Sequence, residues 1–314
     1  MVCDYGDVQK PISVMVTDEE SLDTTDAIVE RIRTLVGTRP DLADLLMQQA
    51  RQLPTRVFGG SDFSAQEFLE MYIEETQYLL ALVEPYLRPG IRLLEIGGGL
   101  GLFHVIAHAK GADIVSIEPS EAGFSVFRAF GLALLSACTG EPERFVDARA
   151  EDLPWPEHRF QLVVSNNVLE HLGDLRRALQ EMWRVLDPGG VLLHSCPNYL
   201  FPYEPHYKVP VIPCAVAFSG RICWRAFQRD PLWRSLNSIN AFTIMRIAHS
   251  LPGARLTFHN AIGPLFERLR GGGPLSRRHG RLTSVALMRP LRAWLTKWPP
   301  QLLSPMVFQM TKAS

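Results

Sequence analysis

The 314-residue chain carries 32 Lys and Arg against 33 Asp and Glu, so its formal net charge is -1. This balance gives no electrostatic basis for binding nucleic acid, and the 46% hydrophobic fraction is that of a globular protein with a sizeable core. The five cysteines lack metal-ligand spacing, and the first residues lack the features of a signal peptide. We therefore expect reduced thiols, no metal site and a cytoplasmic location.

The first part of the chain shows helical rather than strand periodicity. Its first segment carries apolar residues at helical spacing: Ile28, Ile32, Leu35 and Val36. A later segment opens with Ser64 and has Glu67 three residues on, which is the signature of a capping box. We assign residues 1–63 to an N-terminal tail and helical extension, and begin the main domain at residue 64.

From about residue 90 onwards, short apolar strands alternate with helices of 10 to 15 residues. This alternation predicts an α/β fold, a Rossmann-like, doubly wound and mostly parallel seven-stranded sheet, over residues 64–288. Its last strand is expected at 281–288. Residues 197–240, rich in proline and aromatics, are expected to form an inserted lid or substrate-binding element.

A glycine cluster follows the first predicted strand, in "LLEIGGGLGLFH" from Leu93 to His104. A P-loop would need Gly-Lys followed by Ser or Thr, and a dinucleotide fingerprint would need glycine at Leu102. What remains is an E-x-G-x-G-x-G pattern made by Glu95, Gly97, Gly99 and Gly101. In a parallel sheet such a turn lies at the carboxyl ends of the strands, where ligands bind.

The acidic start and glycine spacing resemble the first motif of class I S-adenosylmethionine-dependent methyltransferases, in their small-molecule branch. "SIEPS", with Glu118, resembles the family's ribose-binding strand end, and "AEDLPWPEHRFQLVVSNNVLEHL" resembles its adenine-contacting loop and fourth strand. "LQEMWRVLDPGGVLL" resembles the helix, turn and fifth strand that follow. The resemblance covers roughly residues 64–200 and implies S-adenosyl-L-methionine as cofactor.

The resemblance implies a role for each cofactor residue. Glu95 would hold the ammonium end of the methionine moiety, and Glu118 would accept hydrogen bonds from the ribose hydroxyls. Glu151 and Asp152 lie in the adenine-contacting loop, where Asp152 would accept from the adenine amino group. Asn166 would offer its backbone carbonyl near the charged end of the cofactor. Taken singly, these residues have ordinary structural alternatives, such as a helix cap for Asp152.

The predicted acceptor is a small molecule. The place after the fourth strand reads "SNNVLEHL" rather than the Asn/Asp-Pro-Pro-aromatic motif of many amino-group methyltransferases. We expect O-methylation of a natural product, lipid, quinone or glycan. An aromatic wall for this substrate is predicted from Tyr199, Phe201, Tyr203 and Tyr207. The alternative is that these aromatic side chains pack on the sheet.

The predicted proton acceptor is His206, with Glu204 as the next candidate and His171 as the rival. An imidazole has an unperturbed pKa of about 6.5 and is largely neutral at cytoplasmic pH. A nucleophile that is already acidic would need no base. A methyltransferase-like domain that binds cofactor or a partner without catalysis is the alternative function.

The C-terminal segment 289–314 is read as an amphipathic extension. Its apolar side chains, interleaved with basic ones, are Trp294, Trp298, Met306, Phe308 and Met310. Such a mixture is compatible with peripheral contact to a membrane or with a homodimer interface. We favour packing of the segment on the core or on a second subunit over membrane contact.

Overall fold

A computed structural model gives the structure of residues 24–52, 64–120, 125–263 and 292–314. Within these ranges the α-helices are α1 Thr25–Thr38, α2 Pro40–Gln52, α3 Ala65–Val83, α4 Leu102–Ala109, α5 Ser125–Cys138, α6 Leu175–Val185, α7 Val216–Ile222, α8 Pro231–Ser235 and α9 Ala241–Ser250. The strands are β1 Arg92–Ile96, β2 Asp113–Ile117, β3 Phe145–Val146, β4 Phe160–Asn166, β5 Leu186–Cys196, β6 Tyr203–Glu204, β7 Val209–Pro210, β8 Ala254–His259 and β9 Met306–Lys312.

Seven strands form one sheet in the order β3-β2-β1-β4-β5-β9-β8. The first five pair in parallel, and β9 is antiparallel to both of its neighbours. The predicted doubly wound, mostly parallel seven-stranded sheet is confirmed. The order reverses between β1 and β4, so a crevice is expected at the carboxyl ends of these two strands.

The position of the seventh strand differs from the prediction. The expected strand at 281–288 lies outside the described residues, and β9 instead comes from the segment read as an amphipathic extension. Met306, Phe308 and Met310 are fully buried there because a strand turns alternate side chains to the same face. These three side chains therefore pack on the core, whereas membrane contact through the rest of the segment stays a prediction.

The N-terminal helices share a hydrophobic core with one face of the sheet. Thr24 caps α1, and the predicted capping box of α3 is present, with Ser64 Oγ accepting the Glu67 N–H at 3.1 Å. Arg33 of α1 donates two hydrogen bonds to Glu70 of α3, at 2.7 and 2.8 Å. This packing brings α3 against the glycine turn.

Residues 197–240 pack against the other face of the sheet. They contain the short β6–β7 hairpin, α7 and α8. Their buried side chains join the core on that face: Tyr199, Tyr207, Val216, Phe227, Trp233 and Ile239. Among the described residues, no helix combines the length and hydropathy needed to cross a membrane.

Candidate active site

The glycine turn connects β1 to α4 at the carboxyl edge of the sheet. Gly97, Gly99 and Gly101 have φ of +75°, +52° and +75°, which favours glycine at all three positions. A Cβ on Gly97 would lie 2.4 Å from a methyl group of Val168, whereas a Cβ on Gly99 would meet no atom within 4 Å. The absence of a side chain at Gly97 thus allows the segment after β4 to pack against the turn, whereas Gly99 faces open space.

Glu118 follows β2 and is held against this turn. Its Oε2 accepts the N–H of Gly99 at 2.8 Å, and the side chain is buried. Burial raises the pKa of Glu118 to about 7, although the hydrogen bond from Gly99 and the charge of Arg128 oppose the rise. The predicted ribose acid therefore lies beside the open position at Gly99.

Glu95, on β1, is buried within a chain of polar side chains. Ser116 Oγ donates to Glu95 Oε2 at 2.5 Å, and His104 Nδ1 lies 2.8 Å from the same hydroxyl. Burial, together with the charge of Glu118, raises the pKa of Glu95 to about 8, although the hydrogen bond from Ser116 opposes the rise. Sequence reasoning missed Ser116 and His104, although each is a polar residue within an otherwise apolar run.

A pocket lies between the glycine turn and α3. Its lining residues are Tyr72, Glu75, Thr76, Leu79, Glu95, Gly97, Gly98, Gly99, Leu100, Leu102, Phe103 and Asn166. Asn166, the last residue of β4, has a buried Oδ1 without a hydrogen-bond partner among the described residues. The contribution of α3 was not predicted, because an amphipathic pattern does not reveal which helix faces a ligand.

The predicted adenine-contacting loop follows β3. Ala150 and Leu153 are buried in the core, whereas Asp152 is exposed. Glu151 is half-buried and engaged by the protein, since its Oε1 accepts the N–H of Asp174 at 3.4 Å. The structure thus gives Glu151 a structural contact and leaves Asp152 at the surface of the loop.

A second group of polar side chains lies beyond Asn166, and we call Glu170, His171 and His206 the Glu170 cluster. Glu170 and His171 are in a short 3-10 helix after β4, and His206 is in the β6–β7 hairpin. Glu170 Oε1 lies 3.9 Å from His171 Nε2 and 4.0 Å from His206 Nε2. The two imidazole rings are 5.2 Å apart.

The structure contradicts the premise that His206 is neutral. Its Nδ1 lies 2.5 Å from Glu204 Oε1. Burial alone would lower the pKa of His206, but the charge and hydrogen bond of Glu204 and the charge of Glu170 raise it to about 9. His206 is thus protonated at neutral pH and cannot accept a proton.

The other two predicted catalytic groups also differ from expectation. Glu204 is fully buried and accepts from the Tyr207 N–H at 2.6 Å and from Tyr199 Oη at 3.3 Å, so it orients His206 from inside the protein. Burial and the charge of His206 lower the pKa of His171 to about 3. Of the two histidines, His171 is therefore the neutral one.

The predicted aromatic wall does not form as a single surface. Tyr199 and Tyr207 are buried, Tyr203 is half-buried, and Phe201 is exposed to solvent. The ring of Tyr207 packs against Phe227 and Trp233. The alternative reading, that aromatics pack on the sheet, is correct for Tyr199 and Tyr207, because they close the core beneath the hairpin.

Comparison with known proteins agrees with this geometry. A family model described as a methyltransferase domain matches residues 94–194, from β1 through most of β5. This part of the chain is therefore similar to a methyltransferase domain, as the sequence motifs predict. The matched residues contain the glycine turn, Glu118, the loop after β3, Asn166 and two members of the Glu170 cluster. S-adenosylmethionine is the cofactor that this similarity implies.

Among the similar proteins, an uncharacterised protein of Mycobacterium tuberculosis is 37% identical over 180 residues, covering 55% of this chain and 60% of the relative. The chain thus spans about 60% of that relative's length. A glycine/sarcosine/dimethylglycine N-methyltransferase of Actinopolyspora halophila is 28% identical over 211 residues, covering 62% of this chain and 35% of that protein.

The fold likewise resembles solved methyltransferases. A phosphoethanolamine N-methyltransferase of Haemonchus contortus, in complex with S-adenosyl-L-methionine, superposes with a TM-score of 0.50 at 16% identity. The superposition covers 76% of this chain and 52% of that one. At this identity the likeness concerns the fold alone.

Proposed function

We propose that the protein transfers a methyl group from S-adenosylmethionine to a small-molecule acceptor, and that the methylated atom is a hydroxyl oxygen of a natural product, lipid, quinone or glycan. The observation that carries the proposal is the pair of buried carboxylates, Glu95 and Glu118, on either side of a glycine turn that opens at Gly99. A merely structural turn does not require two desolvated acids.

The residues present fit the cofactor. Glu118 would accept hydrogen bonds from the ribose hydroxyls. Glu95, whose raised pKa keeps it largely protonated in the ligand-free chain, would ionise as the partner of the ammonium group. Asn166 has an unpaired amide oxygen at the pocket wall. The open position at Gly99 lets a ligand approach the backbone without meeting a Cβ. When bound, the cofactor supplies a methyl group already activated on a sulfonium.

The protein's own contribution is alignment and exclusion of water. Tyr72, Thr76 and Leu79 of α3 line the pocket opposite the glycine turn. Glu75 belongs to the same lining, and its charge raises the pKa of both Glu170 and His206. The Glu170 cluster therefore adjoins the pocket, and we place the acceptor between them.

A hydroxyl acceptor must lose its proton during methyl transfer. Protonated His206 is unsuited to accept it, which leaves Glu170 and His171 as the groups with free acceptor capacity. Neither Glu170 oxygen has a hydrogen-bond partner among the described residues. Burial raises the pKa of Glu170 to about 7, against the opposing charge of His206, and this value suits a group that takes up a proton near neutrality.

The proposal is tested by acceptor-dependent formation of S-adenosylhomocysteine. Purified full-length protein is incubated with methyl-labelled S-adenosylmethionine and matched pairs of hydroxyl-bearing and amine-bearing lipids, quinones and glycosides. We expect labelled product from a hydroxyl acceptor, and loss of that product in Glu118→Gln.

Label transfer only to amines would contradict the assignment of the methylated atom. Cofactor binding without turnover on any acceptor would instead favour the catalytically silent alternative. The surface variant Glu157→Gln serves as the matched control, because Glu157 is exposed and lies outside the pocket lining.

A further inference from the structure

The Glu170 cluster brings three ligand atoms of metal-binding type together beside the pocket. One ligand atom from each of Glu170, His171 and His206 lies within 4.8 Å of the other two. Glu170 Oε1 is 3.9 Å from His171 Nε2 and 4.0 Å from His206 Nε2. We propose that Glu170, His171 and His206 together bind one divalent transition-metal cation. Two atoms that bind the same cation at about 2.0–2.2 Å can be up to about 4.4 Å apart. The measured 3.9 and 4.0 Å separations from Glu170 fall inside that limit.

The hydrogen bonds around His171 leave a lone pair on the nitrogen that faces Glu170. Ser235 donates its hydroxyl proton to the Leu232 carbonyl at 2.8 Å, so the same oxygen is an acceptor for His171 Nδ1, which is also at 2.8 Å. Nδ1 therefore carries the proton of the neutral ring, and Nε2 carries the lone pair. This is the tautomer that a metal-binding histidine needs.

The surroundings of His206 follow the same pattern. Glu204 accepts a hydrogen bond from the Nδ1–H of His206, and Nε2 lies 4.0 Å from Glu170 Oε1. A cation bound at Nε2 would displace the proton that this nitrogen carries. Histidines that bind metals usually donate their other ring N–H to a carboxylate, a carbonyl or water, because this bond fixes the ring and raises its basicity. Glu204 and Ser235 are thus in the places that such supporting groups occupy.

Glu170 supplies an independent observation. Its side chain is fully buried, yet neither carboxylate oxygen has a hydrogen-bond partner in the described part of the chain. An unpaired buried carboxylate is costly, and Glu204 adds a second buried carboxylate close by. A cation bound by Glu170 would compensate its charge, whereas the imidazoles alone leave the Glu170 oxygens without a hydrogen bond.

The ligand set indicates the class of metal. Two imidazoles and one carboxylate suit Zn²⁺, Fe²⁺, Mn²⁺ or Co²⁺ better than Ca²⁺ or Mg²⁺, which prefer oxygen ligands. The side chains of His171 and His206 are 11% and 21% exposed, so the cluster is accessible from solvent. The 3-10 helix after β4 supplies Glu170 and His171, and the β6–β7 hairpin supplies His206.

The site also bears on the acceptor, and this step rests on the proposed function. Three protein ligands leave coordination positions open, as in catalytic metal sites. A cation there would bind an acceptor oxygen next to the methyl-transfer pocket and lower the pKa of that oxygen's hydroxyl group, so that its proton is released to water. Glu170 would then be a metal ligand rather than the proton acceptor. The favoured acceptors would be molecules with a hydroxyl that can coordinate a metal, such as vicinal diols or hydroxyquinones.

The experiment uses untagged full-length protein that has been treated with a chelator and desalted. Zn²⁺ binding is measured by calorimetry and Co²⁺ binding by its visible absorption, both without S-adenosylmethionine. We expect one tight site, and Co²⁺ bands typical of nitrogen and oxygen ligands. Glu170→Gln should remove the tight site, and Ser235→Ala should weaken metal affinity by about 10- to 100-fold because it releases the His171 ring.

His249→Ala is the matched control, since His249 is exposed on α9 and lies outside the cluster. If Glu170→Gln fails to fold, as judged by circular dichroism, Ser235→Ala carries the test. Absence of a tight site in the wild-type protein, or equal affinity in the wild type, Glu170→Gln and Ser235→Ala, would overturn the proposal. S-adenosylhomocysteine titrations in parallel separate this failure from failure of the proposed function, because the cofactor pocket does not require the cluster.

Discussion

At the scale of single residues, substitutions at Gly97 and Gly90 distinguish the stability cost of backbone strain from that of a steric clash. Both have φ of +75°, but a Cβ on Gly90 would meet nothing within 4 Å, whereas one on Gly97 would lie 2.4 Å from Val168 Cγ2. Gly90→Ala should cost about 1–2 kcal/mol of stability for the left-handed conformation. Gly97→Ala should cost more, because valine is short and branched and cannot move its methyl aside freely. Chemical denaturation measures both.

The double variant Gly97→Ala/Val168→Ala provides the internal control for this comparison. Removing the valine methyl groups should restore part of the stability lost in Gly97→Ala, giving a positive coupling between the two positions. Purely additive effects would show that Val168 does not restrict residue 97.

The two buried acids give the ligand-free protein a distinctive dependence on pH. The pKa of Glu95 is raised from 4.5 to about 8, so between these values the folded chain binds more protons than the unfolded chain. Stability should therefore fall as the pH rises, by at most about 1.4 kcal/mol per pH unit for each such group. Glu118 adds to the slope up to about pH 7.

Denaturation at pH 5.5, 6.5 and 7.5 (roughly the range over which these acids ionise) measures this slope. Glu95→Gln should flatten it, because glutamine does not titrate, and Glu157→Gln should leave it as in the wild type. Glu170 and His206 also have raised pKa values and leave a residual slope. A slope as steep in the Glu95→Gln/Glu118→Gln double variant as in the wild type would rule out a contribution from these two acids.

At the scale of elements, two large aromatic residues near the C-terminus, Phe308 and Trp294, are expected to contribute very differently to stability. Phe308 is fully buried in β9, next to His194 and Phe258, whereas Trp294 is 53% exposed. Phe308→Ala should therefore destabilise the fold by about 3–5 kcal/mol. Trp294→Ala should change stability by less than about 0.5 kcal/mol, as a surface substitution does.

Thermal unfolding of the two variants tests this contrast. Under the alternative in which the C-terminal segment contacts a membrane, Phe308→Ala would leave the unfolding temperature unchanged and would weaken flotation with liposomes instead. That outcome would contradict the position of β9 in the sheet.

The C-terminal strand was missed for a physical reason. "MVFQMTK" has Met and Phe at every second position, which is the period of a strand. The Trp, Pro and basic residues that precede it, however, indicate an amphipathic segment. The strand expected at 281–288 already completed the predicted seven-stranded sheet, so no further strand was sought after it. In contrast, β1, β2, β4 and β5 were predicted because each is a short apolar run next to a helix.

At the scale of the whole molecule, the site draws on three parts of the chain. The glycine turn and Glu118 come from the sheet, the opposite pocket wall comes from α3, and His206 comes from the hairpin within residues 197–240. Asn237 joins the last part to the first, since its side chain donates to the carbonyls of Leu169 and Leu172. Stable placement of the Glu170 cluster thus depends on packing between distant segments.

This convergence explains what sequence reasoning could reach. Glu95, the glycines and Glu118 were found because their spacing is local and the strand ends fix their position. The role of Glu204 was not found, because burial and the 2.5 Å contact with His206 depend on how the hairpin folds. Glu170 was passed over because an acid in "LEHL" looks solvated until the packing of residues 197–240 is known.

The central claim is that S-adenosylmethionine binds at the glycine turn with Glu118 as a ligand. Calorimetric titration with S-adenosylhomocysteine tests it most directly, with Glu157→Gln as control. We predict one site in the wild type and affinity about 10- to 100-fold weaker in Glu118→Gln, since hydrogen bonds to a charged group contribute about 1.5–3 kcal/mol. Equal affinity in a folded Glu118→Gln protein, or no binding to the wild type, would contradict the account.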